Sequence, residues 1–293
     1  MKRILITGAG SYIGTSFEKY LRENYPNDYT VDTVDMIDGS WREVSFGGYD
    51  AVFHVAGIAH SDNGKISSEK EKLYYSVNTD LTVETAKKAK SDGVSQFIFM
   101  SSAIVYGDSA PIGKKKTITR ETEVSPANCY GDSKVQAERG ILPLNEENFK
   151  VVVLRPPMIY GKDSRGNYPV LAKMAKKLPV FPYVKNERSM LYIENLCEFV
   201  RLMAENEESG IFWPQNDRYS NTSELVKLIA QAHGKKVLSI KGFGWALKLM
   251  SKVTGMVNKA FGNLTYDMGL SEYKENYRVC GLEESVERTE GHI

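Results

Sequence analysis

The sequence predicts a doubly wound, parallel α/β sheet. Three observations carry the prediction: short apolar, β-branched runs recur through the first half of the chain, helical patterns separate them, and the first run ends in a glycine-rich turn that opens a helix.

Lys2–Thr7 is continuously apolar rather than alternating, as a strand buried on both faces must be. Ile13–Asn24 carries helical spacing at Ile13, Phe17 and Leu21. Tyr29–Asp35 and Ala51–Val55 read as strands, and Val77–Ser91 as a helix with Leu81, Thr85 and Ala89 on one side. Phe97–Met100 and Lys150–Leu154 are two more strands, with a helix between them from about Tyr130 to Gly140. Only about fifteen residues separate Asp35 from Ala51, too few for another strand and its crossover helix. One βα unit is therefore trimmed, with Trp41–Phe46 supplying a short helical turn.

Beyond Leu154 the pattern loosens. Pro156, Pro157, Pro169, Pro179, Pro182 and Pro214 break the chain into loops around short helices such as Asn195–Glu205 and Ser223–His233. The expected division is a nucleotide-binding domain over 1–155 and a small C-terminal lobe over 156–293, mainly substrate-binding, with some segments returning to the main domain. Within Phe243–Phe261, Trp245, Leu249, Val253 and Val257 recur at four-residue spacing. That fits an amphipathic helix, either packed on the lobe or touching a membrane surface or lipid substrate.

Charge and composition exclude several classes. The 293 residues hold 38 Lys+Arg against 37 Asp+Glu, a formal net of +1, which leaves no electrostatic footprint for nucleic acid or for an acidic membrane surface. The apolar run Ile4-Leu5-Ile6 stops at Thr7-Gly8, too short for a signal peptide, and no window approaches a membrane span. A cytoplasmic protein without stable membrane insertion is expected. Cys129, Cys197 and Cys280 are odd in number and far apart, which disfavours a disulfide framework. The histidines (His54, His60, His233, His292) never reach ligand spacing, so no metal is expected.

Thr7-Gly8-Ala9-Gly10-Ser11-Tyr12-Ile13-Gly14 lies between the first strand and the first helix. Gly8 permits the tight turn, small residues at 9 to 11 let backbone amides approach a pyrophosphate, and Gly14 lets helix and strand pack closely. The helix N-terminus at Tyr12 and Ile13 adds the positive end of its dipole. Asp35 ends the second strand, where a carboxylate can accept from both ribose hydroxyls and repel a 2′-phosphate, favouring NAD over NADP. Asp32 and Asp38 are rival assignments.

Tyr130-Gly131-Asp132-Ser133-Lys134 places a phenol and an amine one helical turn apart. The cation is expected to favour the phenolate, making Tyr130 able to take and return a hydroxyl proton while a hydride moves. Ser101-Ser102-Ala103-Ile104-Val105-Tyr106-Gly107 follows the strand ending at Met100 and offers a hydroxyl to the same oxygen.

With these three elements in this order, the chain resembles the extended short-chain dehydrogenases, specifically the nucleotide-sugar epimerase/dehydratase family, from Lys2 to roughly Glu205. The resemblance implies a Rossmann-like NAD-binding domain, a small substrate lobe and a nucleotide-sugar substrate. It places the catalytic set on Ser102, Tyr130 and Lys134. It also implies that Val55, Ala56 and Gly57 pass beneath the cofactor, though they read equally well as strand core. His60 and Asn78 match a histidine and a buried helix asparagine of relatives; His60 reads at least as well as structural, and Asn78 as structural rather than catalytic. Met158 stands where 4-epimerases place an asparagine against the sugar nucleotide, and Asn167 is the candidate replacement. Arg188, in Arg188-Ser189-Met190-Leu191-Tyr192-Ile193, matches an arginine that pairs with the substrate diphosphate, the alternative being a surface salt bridge. A homodimer is expected by analogy alone.

The same resemblance narrows the chemistry. Ala103-Ile104 replace the Asp-Glu of the dehydratases, and Ala103 stands where 3,5-epimerase/reductases carry a cysteine. A 4-epimerase retaining NAD and a 4-keto-sugar reductase exchanging NAD(P)H both remain, and Asp35 tilts the reading towards the epimerase. A non-enzymatic nucleotide sensor on the same fold would be expected to have lost Tyr130 or Lys134.

Overall fold

The structure, a computed structural model, describes residues 1–59, 66–242, 258 and 260–291. His60 and almost all of the amphipathic segment 243–261 lie outside the described residues. In chain order, the described strands are β1 (Lys2–Thr7), β2 (Tyr29–Val34), β3 (Ala51–His54), β4 (Gln96–Met100), β5 (Thr117–Ile118) and β6 (Lys150–Leu154). They continue with β7 (Met158–Tyr160), β8 (Val180–Pro182), β9 (Met190–Tyr192), β10 (Gly210–Phe212), β11 (Leu238–Ile240) and β12 (Thr265–Tyr266). The described helices are α1 (Tyr12–Asn24), α2 (Ser68–Tyr74), α3 (Leu81–Ser91) and α4 (Cys129–Ile141), then α5 (Asn167–Lys177), α6 (Ile193–Glu205), α7 (Thr222–Ala232) and α8 (Leu282–Glu290). They fall into two compact units. One gathers Met1–Gly107, Glu123–Pro156 and Leu196–Pro214; the other gathers Asp108–Thr122, Pro157–Asn195 and Gln215–Ile293.

The first unit is built on a six-stranded sheet in the order β10-β6-β4-β3-β1-β2, every pairing parallel. Ile4–Thr7, Ala51–His54, Gln96–Met100 and Val151–Leu154 are buried throughout, because helices covering both faces leave no side for water. After β2 the chain crosses β1 to place β3 on its other side. The switch point lies at the carboxyl ends of β1 and β3, where such sheets bind ligands. The trimmed unit is seen directly: between β2 and β3 there is a single 3₁₀ turn, Ser40–Arg42. Trp41 and Phe46 fill the space with their rings, packed into one cluster with Leu5, Val52 and Phe97.

α2 and α3 are joined through a π-helical turn, Tyr75–Asp80. Such a turn carries one extra residue per hydrogen-bonded ring and redirects the side chains that follow. Here it packs on α4.

The second unit holds three two-stranded parallel pairings, β7 with β9, β8 with β11 and β5 with β12. α5 and α8 both pack on α7. Asn221 caps α7, its side chain accepting from the Ser223 and Glu224 amides. Among the described residues no helix is long and apolar enough to cross a membrane.

Candidate active site

The Gly8 turn sits at the switch point. Gly8 has φ +110°, and a Cβ there would stand 2.8 Å from the Ala56 amide nitrogen. Both the conformation and the space thus demand glycine. Gly14 presses α1 onto the sheet, its missing Cβ lying 3.0 Å from Ile6 Cγ2 and 2.7 Å from Ser11 Oγ. Ser11 caps α1 by accepting from the Gly14 amide at 3.2 Å. The Gly8 and Ala9 amides are committed within the protein, both donating to the Val34 carbonyl. The close approach to a pyrophosphate therefore falls to Gly10 (φ +72°) and to the first turn of α1, where Tyr12 and Ile13 stand.

Of the three carboxylates near β2, Asp32 binds the Tyr49 hydroxyl at 2.8 Å and faces Arg3 at 3.8 Å. Asp38 accepts from the Ser40 amide and hydroxyl, which hold its pKa below the usual range. Asp35 lies one residue past β2, exposed, and accepts from the Ile37 amide at 2.9 Å. Of the three, Asp35 stands nearest the carboxyl end of β2. A dinucleotide is compatible with this end of the sheet: a Cβ at Gly10 would meet nothing within 4 Å, so the turn is open beside the N-terminus of α1.

The catalytic candidates come from β4 and α4. Ser102 follows β4 and caps the 3₁₀ turn Ala103–Tyr106. Its hydroxyl also favours the ionised form of the Tyr130 phenol. Asn128 caps α4 by accepting from Gly131, so the helix begins where Tyr130 must be presented. Lys134, one turn on, is buried. Its Nζ donates to the Met100 carbonyl at 3.0 Å and lies 4.7 Å above the Phe99 ring. The loop Val55–Gly57 runs past it: a Cβ on Gly57 would stand 3.3 Å from Lys134 Nζ and 3.0 Å from Asn78 Oδ1.

One expectation changes. Burial pushes the Tyr130 phenol up to about 12, opposed by the Ser102 hydroxyl and assisted by Tyr74. The amine is turned to the Met100 carbonyl, and burial pulls its own pKa down to about 8 against the charge of Glu138. Burial thus opposes the phenolate at Tyr130.

Asn78, inside the π turn, is fully buried and serves structure. Its side chain accepts from the Ile58 amide and donates to the Ile58 carbonyl and to Ser133 Oγ, at 2.8, 3.1 and 3.1 Å. With Thr79 donating to the Ser133 carbonyl and Tyr75 to Asp132, the π turn fixes both α4 and the loop after β3. His54 is a core residue too, held between Thr7 at 2.7 Å and Thr82 at 3.0 Å.

A buried network escaped the sequence reading. Ser101 donates to Glu138, which takes the Arg155 guanidinium; Arg155 and Trp213 both donate to the Tyr106 hydroxyl at 2.7 Å. Glu138 lies four residues after Lys134 on α4, and Arg155 follows the apolar run Val151–Leu154; those two misplaced charges were the available signal.

In the second unit, Met158, Asn167 and Arg188 line one narrow crevice, with Ser220 and Thr222. Arg188 is held by its backbone, which pairs with Ser220 in both directions at 3.0 and 2.9 Å. Burial draws its guanidinium down to about 10.

Comparison with known proteins accords with this geometry. Residues 4–212 match the model of the NAD dependent epimerase/dehydratase family. The UDP-glucose 4-epimerase of Vibrio cholerae is 30% identical over 292 residues, spanning 91% of this chain and 88% of that protein. The N-acetyl-alpha-D-glucosaminyl-diphospho-ditrans,octacis-undecaprenol 4-epimerase of Escherichia coli O157:H7 is 27% identical, spanning 86% and 81%. Among solved structures, the dTDP-4-dehydrorhamnose reductase of Bacillus anthracis in complex with NADP superposes with a TM-score of 0.72 at 18% identity, covering 99% of this chain and 98% of that one. That likeness concerns the fold alone.

Proposed function

Because the chain belongs to the NAD dependent epimerase/dehydratase family, we propose that it is a nucleotide-sugar 4-epimerase acting on a UDP-hexose or UDP-N-acetylhexosamine. NAD is the cofactor this membership carries, and Gly8–Gly14, Asp35 and Val55–Gly57 are the residues that would hold it. When bound, NAD accepts a hydride from the sugar and returns it.

The observation that supports the reading best is that the Ser102 hydroxyl acts on the Tyr130 phenol, with Lys134 one turn along α4. Tyr130 takes the proton of the sugar C4 hydroxyl as the hydride leaves, and gives it back to the same oxygen when the hydride returns to the other face. Ser102 hydrogen-bonds that oxygen through both steps. Lys134 keeps an amine beside Gly57, on the loop assigned to the cofactor. Ala103 and Ile104 carry no acid or base, so nothing after Ser102 is equipped to expel water. Arg188 pairs with the diphosphate and Asn167 hydrogen-bonds the sugar.

A second reading keeps the chemistry and changes the carrier. The Escherichia coli relative acts on a sugar linked through diphosphate to undecaprenol, and a diphosphate held by Arg188 is common to both carriers.

Protein purified without added nucleotide should carry NAD and interconvert a UDP-sugar with its C4 epimer, no nicotinamide being supplied. A nucleotide-free protein that consumes NAD(P)H in step with a 4-keto sugar would instead be a reductase.

A further inference from the structure

Net charge conceals a local asymmetry in the second unit. Residues 167–185 and 233–242 contain seven lysines (Lys173, Lys176, Lys177, Lys185, Lys235, Lys236 and Lys241) and no Asp or Glu. All seven are exposed. Glu290 offsets one of them, pairing with Lys176 at 2.8 Å.

The same two segments hold seven of the twelve large apolar residues that are exposed among the described residues: Val170, Met174, Leu178, Val180, Tyr183, Leu238 and Ile240. Their arrangement is regular. Val170, Met174 and Leu178 recur every four residues, one stripe along α5 and its cap, while Tyr168, Leu171, Ala172 and Ala175 form the buried face. Lys173 and Lys177 border that stripe by helical spacing. In the β8–β11 pair, Leu238 stands opposite Val180 and Ile240 opposite Pro182, so these side chains share one face while Phe181 points into the core. The two parts are tied together: Lys235 Nζ donates to the Lys176 carbonyl, and the Leu238 amide to the Pro179 carbonyl at 3.0 Å. Lys241 Nζ lies 5.8 Å from the Tyr183 ring.

Isolated exposed apolar residues need no explanation, but a contiguous patch does. One bordered by lysines, with Glu290 offsetting Lys176, has the composition of a surface that lies in the headgroup region of an anionic bilayer. The lysine stems reach past the apolar side chains to the phosphates, and the apolar side chains enter the acyl boundary. We propose that α5 and the β8–β11 pair form a docking face for anionic phospholipid membranes. The attachment is peripheral, since no described helix can span a bilayer. α5 also supplies Asn167 to the crevice that holds Arg188, so one helix carries both a membrane face and a candidate substrate contact.

The test is co-sedimentation of the full chain with phosphatidylcholine vesicles, with and without phosphatidylglycerol. Binding to the anionic vesicles alone, weakened by salt, is expected. Lys173→Glu with Lys177→Glu, and separately Val170→Ser with Leu238→Ser, should each lower that binding roughly tenfold or more. All four positions are exposed, so thermal unfolding should be unchanged, and the assay needs no turnover, so its outcome is separate from that of the epimerase assay. Absence of binding by the wild-type chain overturns the proposal, as does undiminished binding by both variants. A wild-type dimer that Val170→Ser with Leu238→Ser converts to monomer, without vesicle binding, would assign the face to a second copy of the chain instead.

Discussion

Glu138 receives both arms of the Arg155 guanidinium, Nε to Oε1 at 3.2 Å and Nη2 to Oε2 at 2.5 Å, one helical turn beyond Lys134. Both residues are buried. Through Ser101 on one side and Tyr106 and Trp213 on the other, the pair ties the end of β4, the middle of α4 and the end of β6 into one unit. Those are the elements that position Ser102, Tyr130 and Lys134.

Removing one partner strands a buried charge. Glu138→Ala should therefore lower stability by about 3–5 kcal/mol in chemical denaturation. Glu138→Met combined with Arg155→Met should cost less than the two single changes added together, because neither charge is then left alone. A strictly additive double variant would show that the pair is not coupled.

Tyr130→Phe removes a hydroxyl and little else. Turnover should fall by roughly two to four orders of magnitude, the general acid–base range, with unchanged unfolding and NAD content. Ser102→Ala removes a hydroxyl that favours the phenolate. The pKa of Tyr130 should rise, so the limb of the pH–rate profile that climbs with deprotonation should move to higher pH. A limb that stays in place would mean that Ser102 does not act on Tyr130.

His54 gives the fold an acid sensitivity. Thr82 Oγ1 already donates to the Asn78 carbonyl, so His54 Nε2 donates to Thr82 and Nδ1 accepts from Thr7. Burial first, then the charge of Lys134, lowers its pKa to about 3. The unfolded chain therefore binds a proton near pH 6.5 that the folded chain refuses. Stability is fully present above that pH and is lost as pH falls, by about 1.4 kcal/mol per unit below 6.5. His54→Gln should flatten this slope in urea unfolding between pH 7 and about 5; an unchanged slope would assign it to other groups.

Asp35→Ala should narrow the preference for NAD(H) over NADP(H), measured by titration of cofactor-free protein. A wild-type preference for NADP(H) would remove Asp35 from the ribose.

The long parallel strands were legible because burial on both faces writes itself as continuous apolar runs. β10 was not: Gly210–Phe212 is three residues with no period of its own, and it exists through pairing with Val152–Leu154. α5 was hidden by Pro169, read as a breaker. That proline is the third helical residue, where backbone N–H groups have no intrahelical partner and proline is tolerated. The π turn shifts hydrogen-bond register without disturbing hydropathy, so Val77–Ser91 looked like ordinary helix. In the site, the spacing of Tyr130 and Lys134 was plain, yet where the amine points depends on Met100 and Phe99, which belong to another strand. The Glu138–Arg155 pair is likewise a long-range fact, visible in sequence only as two misplaced charges.

The central claim is that one hydride leaves C4 and returns to C4 on the same protein molecule. It is tested by supplying a UDP-sugar deuterated at C4, with no nicotinamide added, and following the label by NMR and mass spectrometry. The account predicts that the C4 epimer forms with the deuterium retained at C4. Epimer formed with loss of the label to solvent, or no epimer unless NAD(P)H is supplied, would contradict it.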